Sequence, residues 1–65
     1  MNNRCVSVYS IRSGYLVHSL ENPLIYICDG LAKITGYRAD SDGLTRKVTL
    51  DFSLENYLIE TEENV

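Results

Sequence analysis

The chain lacks most of the residues and motifs from which small proteins build a catalytic or metal site. It has no tryptophan, one proline, one histidine and two cysteines among 65 residues. Its four glycines stand singly, so there is no glycine-rich phosphate loop. His18, Cys5 and Cys28 show no paired-ligand spacing, and a zinc site would need a carboxylate as its fourth ligand. We therefore predict a protein that is not an enzyme, with no catalytic residue, no metal site and no cofactor.

Long apolar runs are also lacking. The longest, Leu24–Cys28, is far shorter than the roughly 20 residues that a membrane span needs. Met1–Arg4 leads into alternating polar and apolar residues, which is not the pattern of a secretory signal. Two cysteines are fewer than a disulfide-stapled secreted scaffold of this length usually carries. We expect a soluble cytoplasmic protein with reduced cysteines and no membrane partner.

Negative charge is concentrated in the second half of the chain. The net charge is −3, made up of +2 over residues 1–38 and −5 over residues 39–65. Binding to a nucleic-acid backbone requires a basic footprint, so we expect no direct nucleic-acid binding. An acidic surface instead suits a larger protein that has a basic surface.

The length allows one domain, residues 1–65, and we expect residues 62–65 to be frayed. Alternating polar and apolar residues predict an antiparallel sheet of about four strands. The run at 24–28 does not alternate, which is typical of a central strand covered on both faces. The predicted strands are 5–11, 15–20, 24–28 and 45–52, with a turn at 40–43. The predicted core comprises Val8, Leu16, Ile25, Ile27, Ile34, Val48, Leu50 and Leu58.

Residues 29–35 admit two interpretations. Asp29 can cap a short helix that ends at Gly36, where a left-handed stop is easy for glycine. Alternatively the segment is a strand with Ala32 and Ile34 on one face. We favour the helix because both of its end signals are present.

Residues 54–61 are open in the same way. Ser53 can cap a helix with Leu54, Tyr57, Leu58 and Thr61 on one stripe, or Tyr57–Thr61 can pair as a final strand. Favouring the helix in both segments gives an α+β fold, with an all-β fold as the alternative.

Residues 21–37, ENPLIYICDGLAKITGY, resemble the strand–helix stretch of PAS and LOV sensor domains. In that family a proline and an Ile-Tyr strand lead into a short helix that ends in Thr-Gly-Tyr. The resemblance implies a helix after Asp29 and, as an alternative function, a fragment of a small-ligand sensor or regulator. The flavin-attaching cysteine motif of the light sensors, which would follow Tyr37, is absent.

Binding to another protein is the function that remains. The chain has five tyrosines, and tyrosine is enriched at interfaces because it offers a large contact area with few torsions to freeze. The strongest one-signed feature is the run of carboxylates after Asp51, with a tyrosine among them. The predicted partner-binding residues are Asp51, Glu55, Tyr57, Glu60, Glu62 and Glu63.

We therefore expect a small acidic interaction protein that inhibits or modulates a larger protein, such as one that binds nucleic acid. In size and acidity it is similar to the small inhibitors encoded by phages and mobile elements. A homodimer is also possible, because strand 5–11 reads as an unguarded sheet edge.

Overall fold

The computed structural model describes residues 3–64, which form five antiparallel β-strands in one sheet. The strands are β1 (Asn3–Ser10), β2 (Leu16–Cys28), β3 (Leu31–Ala39), β4 (Thr45–Ser53) and β5 (Tyr57–Asn64). No helix occurs in residues 3–64, so the expected α+β fold is wrong and the fold is all-β. Fraying was expected for residues 62–65. In the structure residues 62–64 belong to β5, and Val65 lies outside the described residues.

The strand order, β4–β3–β2–β1–β5, forces the sheet to curl. β4 and β5 are its two edges, yet only the three residues Leu54–Asn56 join them. Four Cα–Cα steps of about 3.8 Å span at most about 15 Å. A flat sheet with strands about 4.8 Å apart would separate the edges by about 19 Å. The sheet therefore wraps around its own inner face.

The long strand β2 supplies the bend. It pairs with β1 up to Glu21 and from there onward with β3. The register shifts between Glu21 and Leu24, so that Asn22 and Pro23 together stand opposite Gly36. Asn22 has a φ of 49°, a left-handed value that asparagine adopts more readily than most residues. The result is a β-bulge, which accommodates the proline inside a strand and redirects it.

Gly36 lies against Leu20 at this bend. A Cβ on residue 36 would be 2.9 Å from the Leu20 Cβ and 3.1 Å from the Glu21 carbonyl oxygen. Leu20 is fully buried, so its side chain has little room to move away. Any side chain at position 36 would separate β3 from β2.

A two-residue turn, Asp29–Gly30, connects β2 to β3. Its residues have φ values of 53° and 76°, and left-handed values at both positions are what a type I′ hairpin turn requires. The helix predicted for residues 29–35 is therefore wrong, and so is the helix implied by the PAS resemblance. Asp29 starts a hairpin instead of capping a helix, and Ala32 and Ile34 form the buried face of β3.

The helix predicted for residues 54–61 is also wrong. The Asn56 N–H donates to the Ser53 carbonyl at 3.0 Å, which closes a turn, and β5 begins at Tyr57. Tyr57 and Ile59 then pack against the core while β5 pairs along β1. The pairing along β1 and the inward packing of Tyr57 and Ile59 outweigh the capping signal.

β1 lies between β2 and β5 and has a hydrogen-bonded partner on each side. The open edge assumed for residues 5–11 therefore does not exist. A homodimer formed by that strand is excluded by the strand order.

The core fills the inner face of the curled sheet. Its buried side chains are those of Val6, Val8, Leu20, Ala32, Ile34 and Phe52. Val8 and Ile34 confirm part of the predicted core. Half-buried residues predicted for the core pack against this group, namely Ile25, Val48 and Leu50.

Three residues predicted for the core are exposed instead: Leu16, Ile27 and Leu58. Strand 24–28 is indeed in the middle of the strand order, but its outer face is uncovered. Leu24 is 74% exposed and Tyr26 67% exposed. The absence of alternation therefore reflects an apolar outer surface and not a second covering layer.

Ile34 and Ile27 provide a matched test of the core. Ile34→Ala removes a fully buried side chain and should lower the free energy of unfolding by about 2–5 kcal/mol. Ile27→Ala, at a side chain 59% exposed, should cost less than about 1 kcal/mol. Urea unfolding of both variants measures the difference. Equal losses would contradict the assignment of Ile27 to the surface.

Gly36→Ala tests the close approach at the bend. The added methyl group meets a buried side chain and a carbonyl oxygen, so we expect a loss of about 1–3 kcal/mol. Ser19→Ala, at an exposed position of β2, is the control and should change stability by less than about 0.5 kcal/mol. Two variants of equal stability would mean that β2 and β3 do not approach each other as closely as described.

Candidate protein-binding surface

The predicted acidic residues lie on three different elements of the chain. Asp51 is on β4 with Lys33 as its neighbour across the strands, whereas Glu60, Glu62 and Glu63 are on β5. These strands are the opposite edges of the strand order. Glu55 is exposed in the turn between them.

Tyr57 points to the core. Its ring meets that of Phe52 edge to face, with centroids 5.3 Å apart and an interplanar angle of 67°. Such a pair stabilises the packing beyond the area that it buries. Tyr57 is half-buried in this position, so the ring serves the fold more than a partner.

A different group of residues lies side by side on the outer face of β5, β1 and β2. Tyr9 is the cross-strand neighbour of both Leu58 and Leu16, which are 51% and 53% exposed. Residues directly opposite each other in a sheet share a face, so these three side chains make an apolar row. Tyr9 itself is half-buried at the centre of the row.

Carboxylates continue this face beyond the apolar row. Ser7 has Glu60 and Ser19 as neighbours, and Cys5 has Glu62 and Glu21. None of these paired positions carries a lysine or arginine, so the charge there is negative only. We call this surface the acidic face; its residues are Cys5, Ser7, Tyr9, Leu16, Ser19, Glu21, Leu58, Glu60 and Glu62.

The apolar end of the acidic face is concave. A cavity of about 300 Å³, open to solvent, is lined there by Tyr9, Ser10, Ile11, Gly14, Leu58 and Glu60. Ile11 and Tyr15 are 55% and 76% exposed at the same end of β1 and β2. A side chain inserted from a partner would meet an apolar wall with a carboxylate at its rim.

The other outer face, made by the second part of β2 with β3 and β4, has mixed charge. Lys33 and Asp51 lie beside the exposed Tyr26 and Leu31 and line an open cavity of about 340 Å³. This face offers no charge of one sign. It is therefore less suited than the acidic face to select a partner by charge.

The residues considered for chemistry do not converge. His18 belongs to the inner side of the sheet, opposite Val8, and its ring lies 5.4 Å from that of Phe52. Cys5 belongs to the outer face, and Cys28 is exposed at the end of β2 with its Sγ 3.6 Å from Asp29. Within residues 4–63 no three of the histidine, cysteine and acidic side chains are grouped as metal ligands.

Asp40, in the turn after β3, forms an ion pair within the chain. Asp40 is ion-paired with Arg46, and the Gly43 N–H donates to its carbonyl at 3.0 Å, which confirms the predicted turn at 40–43. A side-chain hydrogen bond with Asp42, together with the Arg46 guanidinium, lowers the pKa of Asp40. The Asp40 carboxylate stabilises the β3–β4 hairpin and is not part of the acidic face.

The partner-binding residues predicted from the sequence do not include Tyr9, Leu16, Glu21 or Leu58, and two of these, Leu16 and Leu58, were predicted for the core. Alternation within β1 and β5 could have shown that Tyr9 and Leu58 each point away from the core-facing positions beside them. What it could not show is that the two strands are neighbours.

The described part of the chain contains no helix long and apolar enough to cross a membrane. Comparison with protein-family models, with curated proteins and with solved structures finds no match for this chain.

Proposed function

We propose that this chain is a non-catalytic protein-binding module whose acidic face docks on the basic surface of a larger protein and inhibits or modulates it. One observation carries the proposal: an exposed apolar row and three carboxylates lie on the same face of the sheet. No lysine or arginine occupies the positions that pair with these carboxylates. Exposed apolar residues that are contiguous and rimmed by polar ones are typical of protein interaction sites.

The apolar row and the carboxylates of the acidic face contribute differently to binding. Leu58 and Leu16 lose water on docking, which provides the favourable free energy that holds the complex together. Glu21, Glu60 and Glu62 attract a basic surface from a distance, which raises the association rate more than it lengthens the lifetime. We therefore propose Tyr9 and Leu58 as the central contact residues, in place of Tyr57, which the sequence suggested.

The charge pattern indicates the kind of partner. Glu60 and Glu62 are two residues apart on β5, and a strand rises by about 3.4 Å per residue. Their positions are therefore about 7 Å apart along the strand, and the two carboxylates present negative charge to a basic groove. A nucleic-acid-binding protein has such a groove, whereas nucleic acid itself would be repelled. In a cytoplasmic setting Cys5 on this face would stay reduced.

The test is affinity capture from lysate, followed by binding kinetics with the captured partner at two salt concentrations. The Glu60→Gln/Glu62→Gln variant should associate several-fold more slowly and respond less to salt, because the steering charge is removed. Leu58→Ser should shorten the lifetime of the complex about tenfold, on the scale of a contact worth about 1–2 kcal/mol. Glu55→Gln, which removes one charge in the turn outside the face, is the control and should bind as the wild type does.

Capture of no stoichiometric partner would contradict the proposal. So would a partner that binds the Glu60→Gln/Glu62→Gln and Leu58→Ser variants with unchanged kinetics at low salt.

A further inference from the structure

The sheet has two free edges, and they differ in how well they are protected. β4 pairs only with β3, so one side of its backbone has no strand of residues 3–64 beside it. β4 is nine residues long, contains neither glycine nor proline, and pairs with β3 without a register shift. A long, regular edge strand of this kind is a template for another strand.

β5, the opposite edge, is protected by charge. If two copies of β5 paired antiparallel about Thr61, Glu60 of each copy would lie opposite Glu62 of the other. Like charges directly opposite each other destabilise a strand pair. β5 is thus guarded against self-association in a way that β4 is not.

β4 is complementary to itself. In an antiparallel pair of two copies centred on Thr49, residues at equal distances from Thr49 face each other. Lys47 of each copy then lies opposite Asp51 of the other, so the ion pair occurs twice. Both side chains are exposed, and among residues 3–64 neither takes part in an ion pair. Their charges are therefore available to a second copy.

The centre of the inner side of the same pairing is apolar, and beyond it Arg46 of one copy faces Phe52 of the other. Val48 of one copy faces Leu50 of the other, and this contact also occurs twice. Val48 and Leu50 are half-buried and pack against the core from the edge strand. A second copy would cover the part of these two side chains that is still exposed to solvent. Such pairs of opposite charges and of apolar residues are the units that stabilise a sheet.

We propose that two copies of this chain form a symmetric dimer by antiparallel pairing of β4 with β4, centred on Thr49. The interface is isologous, since the same residues of both copies meet each other. It joins the two five-stranded sheets edge to edge. The acidic face belongs to β5, β1 and β2 and is not used, so the dimer presents two copies of it. The proposal does not depend on the proposed function.

The test exploits the two ion pairs through charge reversal. Lys47→Asp places two aspartates opposite each other at both contacts, and Asp51→Lys places two lysines opposite each other in the same way. In sedimentation equilibrium each variant should dimerise at least about tenfold more weakly than the wild type. An equimolar mixture should regain the dimer, because in the mixed pair both contacts join opposite charges. The double variant Lys47→Asp/Asp51→Lys should also dimerise as the wild type does.

Two control variants make the same changes in charge in turns outside β4: Arg12→Asp, in the turn after β1, and Glu55→Lys, in the turn after β4. Both should dimerise normally. As a measurement that needs no variant, dilution of the wild type should shift the backbone amide resonances of residues 47–51 and leave those of β1 unchanged. This result remains informative if Asp51→Lys, which also faces Lys33 within the chain, fails to fold.

The proposal is overturned if the wild type sediments as a monomer at high micromolar concentration. It is equally overturned if the mixture dimerises no better than its two components do, or if dilution perturbs resonances of another surface instead of those of β4.

Discussion

The close contact between Gly36 and Leu20 is the constraint on which the rest of this structure depends. β2 has to pair with β1 along its first part and with β3 along its second part, and the bulge between the two parts bends the strand. The change of direction takes place at Asn22 and Pro23, where two residues stand opposite one. β3 can follow the bend only because residue 36 has no side chain, since a Cβ there would lie 2.9 Å from the Leu20 Cβ.

The bend decides which surfaces the protein has. Because the sheet curls, a single layer of strands can cover its own core, and 65 residues suffice without a helix in residues 3–64 to cover one face. The curl also divides the outer surface into two faces. One combines Tyr9, Leu16 and Leu58 with carboxylates, and the other has charges of both signs. The proposed binding of a basic partner and the proposed pairing of β4 use separate parts of the molecule for this reason.

Local patterns predict much of this fold. The alternation of polar and apolar residues around Val8 and along β4 corresponds to strands in the structure. Sequence patterns therefore identify parts of β1, β2 and β4 as strands. The errors arise where one residue carries two signals. Asp29 caps helices and also starts type I′ turns, and the alternation after it, with Ala32 and Ile34 inward, favours the turn. In the same way Ser53 has a capping side chain, but Tyr57–Asn64 pairs with β1 as a strand.

The candidate site depends on information that no local pattern contains. Tyr9 and Leu58 are neighbours because β5 returns to pair with β1, a contact between residues far apart in the chain. Runs of carboxylates mark an acidic segment in the sequence, but the pleat sends alternate residues to opposite faces. Tyr57 thereby turns inward to Phe52, and Glu21, from a distant part of the chain, joins the acidic face.

Nuclear Overhauser contacts across the bend of β2 test the central claim most directly. A bulge at this position predicts cross-strand backbone contacts between Leu24 and Thr35 and between Glu21 and Tyr37, with Gly36 facing both Asn22 and Pro23. The strand order also predicts contacts between β1 and β5, which the short connection after β4 permits only if the sheet is curled. Sequential amide–amide contacts through residues 29–35, the signature of a helix, together with no contact between Leu24 and Thr35, would contradict that claim.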